Sequence, residues 1–533
     1  MAAEEAYDLV IVGGGINGAG VARDAASRGL QVLLLEMHDF ASGTTSWSSR
    51  LIHGGLRYLE HGELGLVYES LQERSRLLRT ARHLVKPIRI DIPVYEGGKR
   101  GMLLVRAGLF LYDLLSFGNP LPSHKTMNRR EFVAAEPGVA PDGLKGGARY
   151  YDAQITFPER LVIENVLAAR AYGASLRNYA RVTGIDIENG KVRSLRYVDD
   201  GGEEHVVRAR VVVNAAGPWV DDVLATANRP MPELMGGTKG SHIVVGAFEG
   251  APKDAFYVEA YIDARPFFII PWNGQYLIGT TDHRYRGDPV DAKPSEPEID
   301  YLLSECNRVF PRARLMRRDI HYAYAGVRPL PLQGKKPEGA ITRRHIIRNH
   351  QRNALGLLTV IGGKLTTYRS LAEQVTNRVV KLLGVRAKAC VTKEMFLPGA
   401  LGKTAAEKML DELGTVSEAG RARLLGVYGG RTRRVLELAL DDPRLAASLD
   451  GQGTVLAAEV ALAVRYELAR HLTDIAHRRT MLGLSPDQGT PLIEPMADVA
   501  AAELGWDDAT KAREIEALRA YNARLRPDRS SSP

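Results

Sequence analysis

The chain has 533 residues, 45% apolar and 25% charged, which excludes wholesale disorder and any need for disulfide or metal staples. Its 71 Lys and Arg exceed its 63 Asp and Glu, for a net charge of +8. From Gly399 onward 18 basic residues face 20 acidic ones, so the first 398 residues hold the excess, which suits an anionic ligand, a nucleic acid or an anionic membrane surface without choosing among them.

The start of the chain lacks the basic, apolar and small-residue segments of a secretory signal. Tyr7 to Val12 is a short apolar strand pattern, Gly13 to Gly18 a glycine turn, and Ala19 to Arg28 a helix closed by Gly29. Val32 to Leu35 is a second buried strand ending at Glu36, which completes a β-α-β unit and implies a parallel sheet. Met102 to Leu115 is the most apolar stretch, but Arg106 and Asp113 interrupt it, and the sequence contains no run of about 18 apolar residues that would cross a bilayer. Two later segments read as β-meanders, turning at Asn189-Gly190, at Asp199 to Gly202 and at Asn273-Gly274. Arg210 to Ala216 and Leu355 to Ile361 are further strands, the second followed by a helical pattern from Leu365. After about Pro398 the composition turns to Ala, Leu, Glu and Arg, as in a separate helical domain, and the tail from Arg526 is polar and expected to fray. The two cysteines, Cys306 and Cys390, match no zinc, haem or redox pattern, and no metal is expected.

The glycine turn carries the chemistry. Gly13, Gly15 and Gly18 form G-x-G-x-x-G between a strand and a helix. Gly13 makes the tight turn, Gly15 admits a pyrophosphate to the backbone, and Gly18 lets helix and strand pack closely. The helix start presents unpaired N–H groups to phosphate, and Glu36 lies where a carboxylate accepts from a ribose diol. These features specify a dinucleotide and do not by themselves separate FAD from NAD.

H-G-G-L-R-Y-L-E, K-G-S-H-I-V-V, I-G-T-T-D, G-V-R-P-L and G-G-K-L-T-T-Y-R follow in that order between His53 and Arg369. Together they resemble the FAD-dependent, respiratory glycerol-3-phosphate dehydrogenase family over roughly residues 7–398. Y-E-L-A-R-H-L-T-D-I-A-H-R-R-T at 466–480 resembles that family's C-terminal helical domain. The resemblance implies an α/β fold: a Rossmann-like FAD domain (about 1–95, 150–230 and 330–398), an antiparallel-sheet substrate domain (about 96–149 and 231–329) and a helical cap (399–533). It implies non-covalent FAD, oxidation of sn-glycerol 3-phosphate to dihydroxyacetone phosphate, and electrons passed to a membrane quinone. A related branch reduces dioxygen instead, and an amine or hydroxy-acid oxidase on the same fold is the more distant alternative. Trp47 is bulkier than the family pattern leads one to expect there.

Transferred to this chain, the resemblance places Arg57, Tyr58 and Arg328 on the substrate, with Arg343 and Lys364 as further phosphate contacts. His53 is the expected base for the hydroxyl proton, because histidine titrates near neutrality; Arg328 is the alternative. Ser46, Ser48, Ser49, Ala216, Gly217, Gly362, Gly363, Lys364, Leu365 and Thr366 are expected beside the cofactor. A second helix start at 361–369 would set its dipole at the flavin ring. A quinone partner requires a membrane surface, so the expected location is cytoplasmic, peripherally bound to the inner face of the cell membrane. Leu103 to Leu115 then has two readings, an interfacial helix or a core helix. No nucleic-acid motif is found, and no sequence pattern specifies oligomeric state, so a homodimer stays open.

Overall fold

A computed structural model describes residues 5–332 and 342–528; the end of the polar tail, 529–533, lies outside them. The first sheet is centred on Ala6–Val12, with parallel neighbours Val32–Leu35 and Glu204–Asn214. Ser175–Arg177 and Leu357–Ile361 extend it in parallel, and Ile346–Asn349 adds an antiparallel edge. Leu9 to Ile11 and Val32 to Leu35 are almost wholly buried, as central parallel strands covered on both faces must be. One face packs against the helices Ile16–Ser27, Pro158–Ala171 and Tyr368–Leu383. The other is covered by the meander strands Arg181–Glu188 and Lys191–Val198, which turn at Asn189-Gly190 as the sequence predicts.

The second sheet has ten strands and is mostly antiparallel. Its centre runs through Thr238–Val245, Gln275–Gly279, Pro266–Trp272 and Ala255–Glu259, with Ile320–Arg328 paired to the first of these. It also takes in Val85–Tyr95, Leu144–Ile155 and Leu51–Ile52, so the chain enters this sheet before the boundary near residue 95 read from the sequence. From Lys403 the elements among the described residues are helices, the last of them Asp508–Arg524. Two element boundaries differ from expectation. The first helix begins at Ile16, inside the glycine motif, because Thr45 Oγ1 accepts the Ile16 N–H and caps the first turn. The later helix begins at Tyr368 and not at Leu365, because Lys364 to Thr367 close a turn of their own, with the Thr367 N–H donating to the Lys364 carbonyl at 3.2 Å.

Buried ion pairs join the helical region to the first sheet. Arg479 makes two 2.8 Å hydrogen bonds to the two oxygens of Asp39, and Arg478 Nε adds one of 2.6 Å. Arg478 also reaches Asp474, and Arg160 pairs with both oxygens of Glu467. Burial alone would raise the Asp39 carboxyl, but Arg479 and then Arg478 outweigh it and hold it well below the usual range. Removing one member of such a group leaves uncompensated charge in a dry interior. Asp39→Ala is expected to destabilise the protein by about 3–5 kcal/mol, read from urea unfolding of the cofactor-loaded chain. An unchanged midpoint would show that the two arginines find water or other partners.

Candidate active site

The glycine turn opens on a cleft of about 1510 Å³. Gly13, Gly15 and Glu36 line it; Gly18 does not, because it packs against the turn itself. A Cβ at Gly13 would lie 2.6 Å from the Ala215 carbonyl oxygen, so the two strands meet only through glycine. At Gly15 the nearest atom to such a Cβ is Thr45 Oγ1 at 3.5 Å, which leaves the backbone open to a ligand. Glu36 Oε2 accepts the Gly14 N–H at 2.6 Å and Oε1 accepts that of His38 at 2.9 Å. Burial raises this carboxyl, and the two N–H donors counter the rise.

Ser48, Ala216, Gly217, Gly363, Lys364 and Leu365 also line the cleft. Ser46 instead donates its hydroxyl to the Ala41 carbonyl, and Ser49 Oγ lies 2.8 Å from His242 Nε2. Gly362 turns its carbonyl to Asn17 Nδ2, and Thr366 Oγ1 exchanges hydrogen bonds with the backbone of His53. The helix start expected at 361–369 is thus one turn removed: Lys364 to Thr367 form a non-helical turn between the glycines and the helix. An open glycine turn, N–H groups at a helix start, and a carboxylate on the neighbouring strand end together fit a dinucleotide.

Beyond Lys364 the cations gather. Lys364 Nζ sits 3.9 Å from the centre of the Tyr58 ring and donates to Ser70 Oγ. Arg343, Arg328 and Arg57 all act electrostatically on the buried Tyr58 hydroxyl. Asp282 fixes two of them, accepting from Arg328 Nη1 at 3.0 Å and Arg343 Nη2 at 3.1 Å. Arg57 makes no hydrogen bond or ion pair among the described residues. Burial pushes the Lys364 ammonium down to about 7, against the pull of Glu63, Glu69 and Asp152. His53 lies against this group, with its ring edge-on to Phe268. Burial pushes its imidazole down to about 4, so it is neutral and able to accept a proton at physiological pH.

Three supports escaped the sequence reading. Asp282 is the last residue of I-G-T-T-D and His242 the fourth of K-G-S-H-I-V-V, but neither motif shows what its polar residue faces. His242 is buried, stacked on Tyr324, and its Nδ1 has no partner among the described residues. Asp152 accepts from Arg74 and Tyr112, and both Asp152 and Tyr112 accept the Gly54 N–H, which holds the loop carrying His53. These partners lie far apart in sequence, and no local spacing reveals them.

A Rossmann-type sheet with an open glycine turn, joined to an antiparallel sheet with a cationic pocket between them, defines an FAD-dependent oxidoreductase. The family model described as FAD dependent oxidoreductase matches residues 8–369, and that of the C-terminal domain of alpha-glycerophosphate oxidase matches residues 390–511. The chain belongs to the FAD-dependent glycerol-3-phosphate dehydrogenase family, and its cofactor is FAD. A glycerol-3-phosphate dehydrogenase of Synechocystis sp. is 44% identical over 531 residues, covering 97% of this chain and 96% of its own. A D-erythritol 1-phosphate dehydrogenase of Brucella abortus is 39% identical, covering 90% of this chain and 95% of its own. The solved glycerol-3-phosphate dehydrogenase of Bacillus halodurans, complexed with FAD, aligns with TM-score 0.78 and 27% identity over 100% of this chain and 97% of that one.

The glycines separate two roles experimentally. Gly15 has an extended backbone (φ −73°) that alanine also adopts, so Gly15→Ala should fold normally. Its methyl group would occupy the approach to the pyrophosphate and weaken FAD binding by about tenfold or more. Gly18→Ala would drive a methyl into the Gly13 carbonyl and should lower stability as well. Flavin fluorescence titration and thermal melts of the two apoproteins distinguish these outcomes.

Proposed function

We propose that this protein oxidises sn-glycerol 3-phosphate to dihydroxyacetone phosphate and passes the electrons to a membrane quinone. The observation that carries the substrate reading is the cation group: Arg57, Arg328, Arg343 and Lys364 converge around Tyr58, and Asp282 is shared by two of the arginines. That arrangement matches a phosphate dianion, and a neutral amine would not need it. FAD, when bound, supplies the two-electron acceptor for the hydride leaving carbon 2. His53 takes the hydroxyl proton as that hydride leaves, and its low basicity in the empty site keeps it unprotonated until substrate arrives. The arginines orient the phosphate, Tyr58 offers a hydroxyl within the same group, and Lys364 stands where the cleft meets the cation pocket. Ala216, Gly217, Gly363, Leu365 and Ser48 line the cleft and would hold the cofactor there.

The quinone reading draws support from the names of the relatives, which are dehydrogenases, and from the excess positive charge of the first 398 residues. Among the described residues no helix is long and apolar enough to cross a membrane. This reading puts the contact with the bilayer at its cytoplasmic face, as a peripheral one. The C-terminal family model, described from an oxidase, gives dioxygen as the second reading of the acceptor.

Anaerobic mixing of the FAD-loaded protein with sn-glycerol 3-phosphate should bleach the visible flavin band, while glycerol and lactate leave it unchanged. A band that stays oxidised with full cofactor occupancy would overturn the substrate. Readmitting a quinone analogue or air to the reduced protein then decides the acceptor by which restores the colour faster.

His53→Asn should slow the bleaching by about 10²- to 10⁴-fold with little change in substrate affinity. An unchanged rate would remove His53 as base. Lys364 loses its charge as pH rises through about 7, so KM should increase between about pH 6 and pH 8. Lys364→Met should raise KM at the lower pH and flatten that part of the profile, which steady-state assays across the range would show.

A further inference from the structure

A second cavity, of about 360 Å³, lies where the helical region meets the loop that runs along the cofactor cleft. That is within the range of small-molecule sites. Gly43, Thr44 and Trp219 are walls common to the cavity and the cleft. The far wall, with Thr473, Ala517 and Tyr521, belongs to the helical region and lines the cavity alone.

Aromatic rings set its shape. Trp47 lines it, and the Trp47 ring centre lies 5.3 Å from that of Tyr324, another wall residue. A Cβ at Gly326 would lie 2.7 Å from Trp47 Cβ, so the strand Ile320–Arg328 seats this tryptophan against its backbone. A Cβ at Gly43 would lie 3.0 Å from Trp219 Cζ3, so the second indole rests on the loop. The bulk of Trp47, unexpected from the family pattern, thus serves this cavity and not the cofactor cleft.

The polar groups on the wall divide into two sets. Its two carboxylates are satisfied, Asp39 by Arg478 and Arg479, and Glu514 by the His471 ring and the Leu472 N–H. Two of its cations pair with no acid among the described residues. Arg524 donates to the neutral Val290 carbonyl, and Lys293 Nζ makes no hydrogen bond or ion pair there. Ser42 Oγ and Thr473 Oγ1 also have no partner among the described residues.

We propose that this cavity is a second ligand site, for a planar aromatic monoanion of one or two rings. Its ring lies against the indoles, and its charge meets Lys293 and Arg524, with the two hydroxyls as further donors. A ligand so placed bridges the helical region and the cofactor loop. The inference does not depend on the reaction proposed above.

Calorimetric titration of the FAD-loaded full chain with 2-naphthoate tests this. The probe should bind at one site, with FAD retained by its absorbance and no displacement by saturating sn-glycerol 3-phosphate. The neutral analogue 2-naphthylmethanol and the non-planar anion cyclohexanecarboxylate should each bind about tenfold more weakly or less. Lys293→Gln/Arg524→Gln should remove the advantage of the anion over the alcohol. Ala517→Trp fills the cavity from an exposed position and should weaken the probe by about tenfold or more. Ala512→Trp, exposed on the same helix outside the cavity, should bind as wild type. Flavin content and thermal melts report the folding of each variant. Absence of binding, or equal binding by folded Ala517→Trp, overturns the site. Displacement by sn-glycerol 3-phosphate, or binding only to the apoprotein in competition with FAD, would make the space part of the cleft already described, and the proposal falls.

Discussion

Everything in this fold depends on a set of charges buried between the first sheet and the helical region. Asp39 lies three residues beyond Glu36, at the start of the loop that runs along the cofactor cleft, and receives Arg478 and Arg479 from the last third of the chain. Glu159 and Arg160 are neighbours at the start of one helix. Glu159 holds both guanidinium nitrogens of Arg50, at the far end of the same loop, and Arg160 holds Glu467. Arg50 in turn donates to the Ser46 carbonyl. Both ends of the loop are thus tied, through ion pairs that bypass the hydrophobic core, to one motif at 466–480. Ion pairs of this kind add little net stability over an apolar contact of the same shape, because each charge must lose its water. What they add is a requirement: the loop closes in one geometry, since any other leaves a charge unpaired.

Burial then sets the charge state of the reacting groups. His53 and Lys364 are both pushed toward neutrality by loss of water, and Asp152 pulls both back toward the charged form. The pocket therefore holds fewer charges than its residue types suggest. An arriving dianion supplies the missing counter-charge and favours protonated Lys364, so binding and charging are one event. The imidazole is treated differently, because its immediate electrostatic neighbours include Lys364 and Arg74, which oppose a second positive charge. In the proposed reaction, one dehydrated pocket thereby keeps a cation for the phosphate and a free base for the hydroxyl.

The sequence made the first β-α-β unit legible because every signal there is local: three glycines, a strand on each side and an acid at the strand end. The hairpins at Asn189-Gly190 and Asn273-Gly274 were legible for the same reason. The cation pocket was legible only through family resemblance, since nothing near Arg57 in sequence says that Arg328 will face it. Asp282 and His242 stood inside motifs already recognised, but their roles, like that of Asp39, come from partners tens or hundreds of residues away. The expected second helix start shows the opposite error. Its helical spacing runs from Leu365, whereas Lys364 to Thr367 close a turn that postpones the helix to Tyr368.

The same geometry explains why Arg328 and Arg343 can serve a substrate that is not yet present. Two guanidinium groups brought together would repel and swing toward solvent. Asp282 takes one hydrogen bond from each, offsets one of the two charges, and leaves a net positive pair already oriented. Thr280 Oγ1 and the Thr281 carbonyl accept from the second nitrogen of Arg328, which fixes the plane of its fork. The neighbouring strand must then leave room, and it does so at Gly240, where any side chain would overlap that nitrogen. The glycine in K-G-S-H-I-V-V is therefore a condition for the arginine in G-V-R-P-L. That pairing ties two motifs distant in sequence to one requirement, a preoriented cation pair, which in the proposed reaction gives a phosphate site whose ordering cost is met by folding and not by the substrate.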